Sequence, residues 1–198
     1  EKPILGKLCM PHVWKIFKDT KPRIVDEYME QLIGKGFNEE QAKFITSPIE
    51  DSKLIGIPGG GKSTCIVEYC KHKIETDQLN SNQILLLAFN SSSNIDLKKK
   101  LEGIVDKKKI KTFDSQVIDL NNHNGVIIKK PDWKNDEDGT KRKEYHKEHN
   151  FICVSRLIDD GYNIDPIKDV KLIIIDEAQD INDLNYRLIT RISARLNK

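Results

Sequence analysis

Cysteine is scarce in this sequence of 198 residues, and its four cysteines stand far apart along the chain. No two of them form a C-x-x-C pair, and their density is far below that of a small disulfide-stabilised scaffold. We therefore expect free thiols in a reducing, intracellular compartment. A zinc site is not expected, because His146 and His149 lie three residues apart with no third ligand beside them.

Long hydrophobic runs are also absent. The longest covers residues 84–89, whereas a helix needs about 18–20 apolar residues to cross a bilayer, so no membrane partner is expected. Residues 1–6 contain neither an initiator methionine nor an apolar signal core, and we expect the chain to be part of a longer protein. Neither sign of charge is in large excess, since 33 basic and 31 acidic residues leave a net charge of +2. Such a balance is typical of ordinary globular domains.

Segments typical of strands and helices alternate along the chain. The continuous apolar run 84–89 is typical of a strand buried on both faces of a parallel sheet. The alternation predicts an α/β fold with a parallel sheet and flanking helices. The predicted strands cover residues 54–57, 84–89 and 170–175, with a short one near 111–113. The predicted helices cover residues 24–33, 39–47, 62–74 and 151–160, with further ones after residue 89 (apolar positions Ile95, Leu101 and Ile104) and after residue 180.

Residues 56–63, GIPGGGKS, match the pattern G-x-x-x-x-G-K-[ST] between a predicted strand and a predicted helix. Glycines let successive N–H groups turn toward phosphate oxygens, and the helix N-terminus adds partial positive charge. We expect Lys62 to reach the β- and γ-phosphates of a nucleotide and Ser63 to offer a hydroxyl to Mg²⁺. The alternative is a glycine-rich turn with a chance lysine. The predicted nucleotide-binding residues of this loop are Pro58, Gly59, Gly60, Gly61, Lys62, Ser63 and Thr64.

Two consecutive carboxylates, Asp176 and Glu177, follow the predicted strand 170–175. In open α/β sheets ligands bind at the carboxyl ends of the strands, where the glycine loop also opens. We expect Asp176 to hold Mg²⁺ and Glu177 to orient or deprotonate an attacking water. The alternative is a helix N-cap with acidic residues in its first turn.

The sequence DEAQD at 176–180, together with the glycine loop, resembles superfamily 1 helicases of the UvrD/Rep type. The resemblance implies a RecA-like P-loop NTPase domain that uses ATP and Mg²⁺ and moves along single-stranded DNA in the 3′ to 5′ direction, with RNA as an open alternative. It places Lys62, Asp176, Glu177 and Gln179 in the catalytic set. It also implies that Gln41 reads the adenine edge, and the alternative for this residue is a capping box with Asn38.

Residues 87–91, LAFNS, resemble motif Ia of that family, and residues 111–115, KTFDS, resemble motif Ib; both lie under single-stranded DNA in the family. An aromatic ring at a strand end offers a stacking platform to any base, and neighbouring hydroxyl and amide groups hold phosphates. The alternative is that both phenylalanines belong to the core. The LAFN sequence is also similar to the F-box DNA helicases and related viral proteins. The predicted contacts to nucleic acid are Phe89, Asn90, Ser91, Thr112 and Phe113.

The sequence departs from the family pattern in three places. Ser91 and Ser92 stand where motif Ia usually has a lysine, Asp114 replaces the usual histidine of motif Ib, and Thr64 stands where an arginine is frequent.

Residues 98–111 are rich in lysine and carry a net charge of +5. This charge predicts either a surface that follows phosphates or a solvated helix face.

We divide the chain into a helical leader (1–36), a RecA-like domain (37–120 and 165–198) and a small polar insertion (121–164) in the place of the family's domain 1B. This insertion is expected to be a reduced 1B subdomain or a mobile loop.

A second RecA-like domain with arginine fingers is expected beyond Lys198, so the chain alone should hydrolyse ATP weakly. Arg187, Arg191 and Arg195 are expected to be surface or interdomain residues rather than fingers. The competing function classes are a nucleotide-binding scaffold without turnover and another P-loop NTPase, such as a kinase.

Overall fold

The computed structural model describes residues 22–50, 54, 59–76, 78–132, 136, 139–159 and 161–197. The chain forms two compact units, which we call the N-terminal unit (1–79) and the C-terminal unit (80–198). Of the predicted strand 54–57 only Leu54 is described, and Pro58 also lies outside the described residues. Within the described ranges, no helix is both long and apolar enough to span a membrane.

The N-terminal unit contains helices α1 (Pro22–Gly34), α2 (Glu39–Thr46) and α3 (Lys62–Glu75). The start of α2 is a capping box: the Asn38 side chain accepts from the Gln41 N–H at 2.9 Å, and the Gln41 side chain accepts from the Asn38 N–H at 3.0 Å. The helix ends two residues before Pro48, as predicted. Its apolar face packs into a core with α1 and α3 that contains Leu32, Ala42, Ile45 and Cys65.

A buried lysine of α3 forms a hydrogen bond with the backbone at the C-terminal end of α2. The side chain of Lys73 is 1% exposed; its ammonium donates to the Ser47 carbonyl and lies 4.9 Å from the centroid of the Tyr69 ring. Burial lowers the pKa of Lys73 to about 8. Because the ammonium satisfies a carbonyl at the C-terminal end of α2, this charge also fixes the position of that helix on α3.

In its described residues, the C-terminal unit contains three parallel strands and four α-helices. The strands are β1 (Ile84–Ala88), β2 (Ile110–Thr112) and β3 (Leu172–Ile175). The helices are α4 (Ser91–Lys100), α5 (Phe113–His123), α6 (Thr140–Arg156) and α7 (Asp183–Leu196). The strand order is β2-β1-β3, which confirms the predicted α/β parallel sheet with flanking helices.

Strand β1 is the centre of this sheet. All five of its residues are buried, as the apolar run predicted. Its alternate residues Leu85 and Leu87 belong to a core shared with α5, α6 and α7, whereas α4 packs on β1 and β2. The remaining apolar residues of that core include Val117, Leu120, Cys153, Leu157, Leu188 and Ile192.

Two predicted helices differ from the structure. In α4 the buried residues are Asn94 and Leu97, and Ile95 is 56% exposed, because the face that meets the sheet continues to Leu101 beyond the helix end. The helix predicted for 151–160 begins eleven residues earlier, at Thr140, and ends at Arg156. Residues 140–156 of the predicted polar insertion (121–164) are therefore helical.

Hydrogen bonds explain why polar residues in the middle of α6 pack on α5. His149 and Asn150 of α6 are buried. The Asn121 amide donates to the His149 carbonyl at 2.8 Å, and the Asn150 amide donates to the Asp114 carboxylate at 2.8 Å. The Tyr162 hydroxyl completes the group by donating to the Asn121 side chain at 2.7 Å. Polar side chains that form hydrogen bonds cost less to bury than unpaired ones, so low hydropathy did not keep this segment on the surface.

We predict that acid destabilises the fold through His72. Burial, with a further contribution from the charge of Lys73, lowers the pKa of His72 to about 4. Between about pH 6.5 and pH 4 the native chain then binds fewer protons than the unfolded chain, so the free energy of unfolding falls as the pH falls.

His72→Phe keeps an aromatic ring on Tyr28, whose ring centroid lies 4.5 Å from that of His72, and removes the titrating group. Urea unfolding at pH 7 and pH 5 should show that the variant loses on the order of 1–2 kcal/mol less stability than the wild type. Equal losses would assign the acid sensitivity to another group.

Candidate functional site

The glycine loop leads directly into α3. Gly59 and Gly61 have φ angles of 78° and 79°, in the left-handed region that favours glycine. Helix α3 begins at Lys62, immediately after Gly61. The loop and helix follow one another as predicted, and the roles of the loop residues toward a nucleotide stay a prediction.

The first turn of α3 is suited to an anion. Its N–H groups have no partner within the helix, and the helix dipole places partial positive charge there. No acidic residue occupies this turn; it holds Lys62, Ser63 and Thr64. A lysine at a helix N-terminus is unfavourable by itself, so this sequence suits a turn whose charge a bound phosphate compensates.

The side chain of Gln41 joins α2 to the glycine loop. Besides its part in the capping box, its amide nitrogen donates to the Gly60 carbonyl at 3.2 Å. A Cβ at Gly61 would come within 3.3 Å of the same nitrogen, so the loop approaches the amide closely. The capping role of Gln41 is thus confirmed, its contact with the loop is new, and its role toward adenine stays a prediction.

The two carboxylates at the end of β3 have different environments. Asp176 is 7% exposed, and its N–H donates to the Leu87 carbonyl at 3.0 Å, which keeps it in line with the sheet. Glu177 turns away with φ 54° and ψ 47°, and among the described residues it alone combines a side chain with positive φ. This conformation costs a residue with a Cβ about 1–2 kcal/mol. The Gln179 amide donates to the Glu177 carboxylate at 2.5 Å.

The interpretation of these acids as a helix cap is wrong. Helix α7 begins at Asp183 and is capped by Asn182, whose side chain accepts from the Asn185 N–H at 2.9 Å. A short 3₁₀ turn, Ala178–Asp180, separates Glu177 from this cap. Glu177 holds the N-cap position of that 3₁₀ turn without a side-chain cap hydrogen bond, and neither carboxylate caps α7.

The carboxyl ends of the three strands form one edge of the sheet. Ala88 of β1 pairs with Thr112 of β2, and Leu87 of β1 pairs with Ile175 of β3. The residues that follow these strand ends therefore lie along the same edge. They are Phe89, Asn90 and Ser91 after β1, Phe113 after β2, and Asp176 and Glu177 after β3.

Two of the predicted nucleic-acid residues cap helices at this edge. The Asn90 side chain accepts from the Ser93 N–H at 2.8 Å at the start of α4. The Thr112 hydroxyl accepts from the Ser115 N–H at 3.2 Å at the start of α5. The patterns N-x-x-S and T-x-x-S are the sequence signals from which these two caps could be predicted.

The two phenylalanines predicted to stack on bases differ in their exposure to solvent. Phe89 is 42% exposed beside the exposed Ser91, so its ring is accessible. Phe113 is 2% exposed and belongs to the core with Val117 and Leu120. As the first residue of α5 it turns toward the sheet, so the prediction that it stacks on a base is wrong.

The lysine-rich segment is partly occupied by contacts within the C-terminal unit. Lys100 pairs with Asp96 and Lys107 with Glu102, each at 2.6 Å. Lys111 pairs with Asp119, and Lys109 donates to the Pro166 carbonyl at 2.6 Å. For the described residues, no such contact involves Lys98, Lys99 or Lys108. The role of this segment toward phosphates stays a prediction.

The arginines of α7 bind backbone carbonyls. Arg191 donates to the Val154 carbonyl, and Arg195 donates to the carbonyls of Asp159 and Tyr162 at 2.6 and 2.9 Å. These bonds hold the C-terminal end of α6 and the loop after it. Arg191 and Arg195 thus stabilise the fold, and the expectation that they are surface or interdomain residues and not fingers stays a prediction.

The histidines of α6 show no metal-binding geometry. His149 Nδ1 lies 3.0 Å from the Asn121 amide, and His146 lies 3.7 Å from the Asp114 carboxylate. In the described part of the chain, no group of three histidine, cysteine or acidic residues is arranged to hold a metal ion. A magnesium ion would instead need one carboxylate, a hydroxyl, phosphate oxygens and waters, and Asp176 and Ser63 are residues of those types.

A parallel sheet flanked by helices, a glycine loop that opens a helix, and a carboxylate at a strand end define the class of P-loop NTPases. The sequence model of one family, described as an AAA domain, matches residues 40–198. This chain therefore belongs to the AAA-domain family.

One relative is a protein of Acanthamoeba polyphaga mimivirus with the name "Putative ATP-dependent DNA helicase". The alignment is 210 residues long, with 24% identity. It covers 92% of this chain and 28% of the relative. This chain thus spans less than a third of the relative's length. No solved structure matches the chain.

We predict that Glu177→Gly gives a more stable protein than Glu177→Ala. Both substitutions remove the carboxylate, but only glycine adopts the left-handed conformation without strain. Urea unfolding should show a difference of about 1 kcal/mol in favour of glycine, after allowing for its larger entropy in the unfolded chain. If the alanine variant is equally stable, residue 177 does not hold this conformation in solution.

Proposed function

We propose that this chain is the ATP-binding motor domain of an ATP-dependent DNA helicase or translocase of superfamily 1, UvrD/Rep type, that moves 3′ to 5′ on single-stranded DNA. The observation that carries the proposal is the pair of elements that such a motor needs. These are a glycine loop opening a helix whose first turn bears Lys62 and no acid, and consecutive acids at the end of a buried parallel strand. Membership of the AAA-domain family and the name of the viral relative support it.

The N-terminal unit supplies the phosphate-binding elements in this proposal. The N–H groups of residues 59–64 and the ammonium of Lys62 bind the phosphates, with Pro58 at the start of the loop. Gln41 contacts adenine with its side-chain amide, which the structure holds beside the loop at Gly60.

The C-terminal unit supplies the acids. Asp176 and the Ser63 hydroxyl of α3 are the proposed protein ligands of Mg²⁺, which when bound neutralises charge on the phosphates. Glu177 accepts a proton from the attacking water. Its partner Gln179 leaves the other carboxylate oxygen without a protein contact in the described residues.

The edge formed by the ends of β1 and β2 is the proposed path of single-stranded DNA. Phe89 offers an exposed ring for base stacking. Ser91, Asn90 and Thr112 lie at the N-terminal ends of α4 and α5, where polar groups and helix dipoles favour phosphates. Lys98, Lys99 and Lys108 add positive charge, so binding should weaken as salt rises.

The remaining elements follow from the resemblance. We propose that residues 37–120 and 165–198 form the RecA-like domain, that 121–164 is a reduced 1B insertion, and that 1–36 is a leader. A second RecA-like domain supplies the arginine fingers, which contribute about 10³–10⁵ to turnover in related NTPases. Because this chain alone lacks them in the proposal, it hydrolyses ATP slowly.

We predict that Lys62→Ala weakens binding of Mg-ATP to this chain. The substitution removes a charge-assisted contact of about 1.5–3 kcal/mol, which corresponds to a loss of affinity of roughly 10- to 150-fold. Isothermal titration calorimetry measures it, and Lys71→Ala in the same helix is a matched control that should bind like the wild type. Equal affinity for wild type and Lys62→Ala would contradict the phosphate assignment.

We predict that Glu177→Gln in the full-length enzyme keeps ATP affinity and lowers turnover by about 10² or more, since the amide keeps the shape of the side chain but cannot accept the proton. Asp176→Asn should instead raise the Mg²⁺ concentration needed for activity. Steady-state ATPase assays with and without single-stranded DNA measure both. Near-normal turnover of Glu177→Gln would move the base to another residue.

We predict that Phe89→Ala lowers the affinity of the chain for single-stranded DNA by about 5- to 150-fold, the range for loss of one stacked base at 1–3 kcal/mol. Phe151→Ala is the matched control, because Phe151 is also exposed, at 67%, but lies on α6. Fluorescence anisotropy at low salt with a labelled oligonucleotide measures both. Equal effects of the two substitutions would remove Phe89 from the DNA path.

A further inference from the structure

We propose that Gln179 is a positioning residue for Glu177: its side-chain amide holds the Glu177 carboxylate in the orientation used for hydrolysis. This inference rests on the proposed function, in which Glu177 accepts the proton of the attacking water. It assigns Gln179 a task of its own, through Glu177 and without contact to the nucleotide.

The backbone at Glu177 is the first observation. Its φ of 54° lies in the left-handed region, where the other positive-φ residues of the described chain are all glycines. The turn between β3 and the 3₁₀ turn Ala178–Asp180 requires that conformation, and glycine would meet the requirement without strain. A side chain at this position therefore costs stability, and the fold gains nothing from it that glycine would not give.

The contact made by this side chain is the second observation. A glutamate carboxylate at a half-buried position has three rotatable bonds and samples several orientations unless a partner holds it. The left-handed residue and the following 3₁₀ turn bring residues 177 and 179 together, and Gln179 Nε2 donates to Glu177 Oε2 at 2.5 Å. One oxygen is held, and the other has no protein partner among the described residues.

The third observation concerns Gln179 itself. Its side chain is exposed and, within the described chain, makes no hydrogen bond other than the one to Glu177. A side chain with so little packing contributes little to the stability of the fold. The effect of removing it should therefore appear in the reaction and not in folding.

A double-mutant cycle in the full-length enzyme tests the proposal. Gln179→Ala should lower kcat about 5- to 20-fold and leave the KM for ATP within twofold, because positioning of a base affects the transition state and not nucleotide binding. In the Glu177→Gln background, the same substitution should change the residual rate less than twofold, since there is no carboxylate left to position. Gln179→Glu, which has no donor and adds a like charge, should lower kcat at least as much as alanine. Ala178→Ser, in the same turn, is the control and should retain the wild-type rate.

Each other result has a definite meaning. Equal effects of Gln179→Ala in both backgrounds, an increase in KM at unchanged kcat, or an unchanged kcat would overturn the positioning role while the proposed function stands. Near-normal turnover of Glu177→Gln alone would overturn the base assignment of the proposed function, and the role of Gln179 with it. Thermal unfolding of each variant checks that a lowered rate does not come from unfolded protein.

Discussion

Burial of β1 on both faces and along both edges is the constraint on which the C-terminal unit depends. Each residue from Ile84 to Ala88 is at most 1% exposed, so all of its main-chain groups must pair with neighbouring strands. Parallel pairing with β2 and β3 meets that requirement and fixes their register. Since burial of each large apolar side chain contributes about 1.5–3 kcal/mol, slipping the register would expose or misplace too much of the core. The positions of the strand ends, and of every polar group that follows them, result from this pairing.

The same pairing concentrates helix N-termini at one edge of the sheet. Helix α4 begins three residues after β1, and α5 begins directly after β2. Asn90 and Thr112 satisfy part of the N–H groups of those first turns with their own side chains. The turn that opens α3 has no such side-chain cap, and its N-cap position is a glycine. The first turn of α3 therefore leaves more N–H groups for an external anion than the first turns of α4 and α5 do.

Buried polar groups hold the rest of the C-terminal unit together. The Asn121 side chain contacts both His149 and Tyr162, and the Asp114 carboxylate accepts from Asn150. Burial lowers the pKa of His149, which favours the neutral imidazole in this network. Arg191 and Arg195 add bonds to carbonyls at the other end of α6. The region that resembles a polar insertion is thereby joined to α5 and α7 by directional contacts as well as by apolar packing.

Features whose causes lie in neighbouring residues can be predicted from the sequence alone. The capping box of Asn38 and Gln41, the glycine loop followed by a helix at Lys62, and the buried strand β1 can all be predicted from short patterns, because their causes lie within about eight residues. The α/β class follows from the order of such segments. These parts of the candidate site needed no knowledge of distant contacts.

Three features depend on contacts between residues far apart in the chain: which of two similar phenylalanines is accessible, where α6 begins, and how the acidic pair is arranged. Phe89 and Phe113 both stand at strand ends in the sequence, but the helix after β2 starts one residue after the strand and turns Phe113 into the core. The polar face of α6 is buried because its partners come from residues 28 to 36 positions away, as in the bonds of His149 with Asn121 and of Asn150 with Asp114. Hydropathy treats each polar residue as if it faced water, so such pairs cannot be predicted from it. The left-handed turn at Glu177 likewise results from where β3 ends in the sheet, a position set by pairing with β1 and not by the residues of the motif.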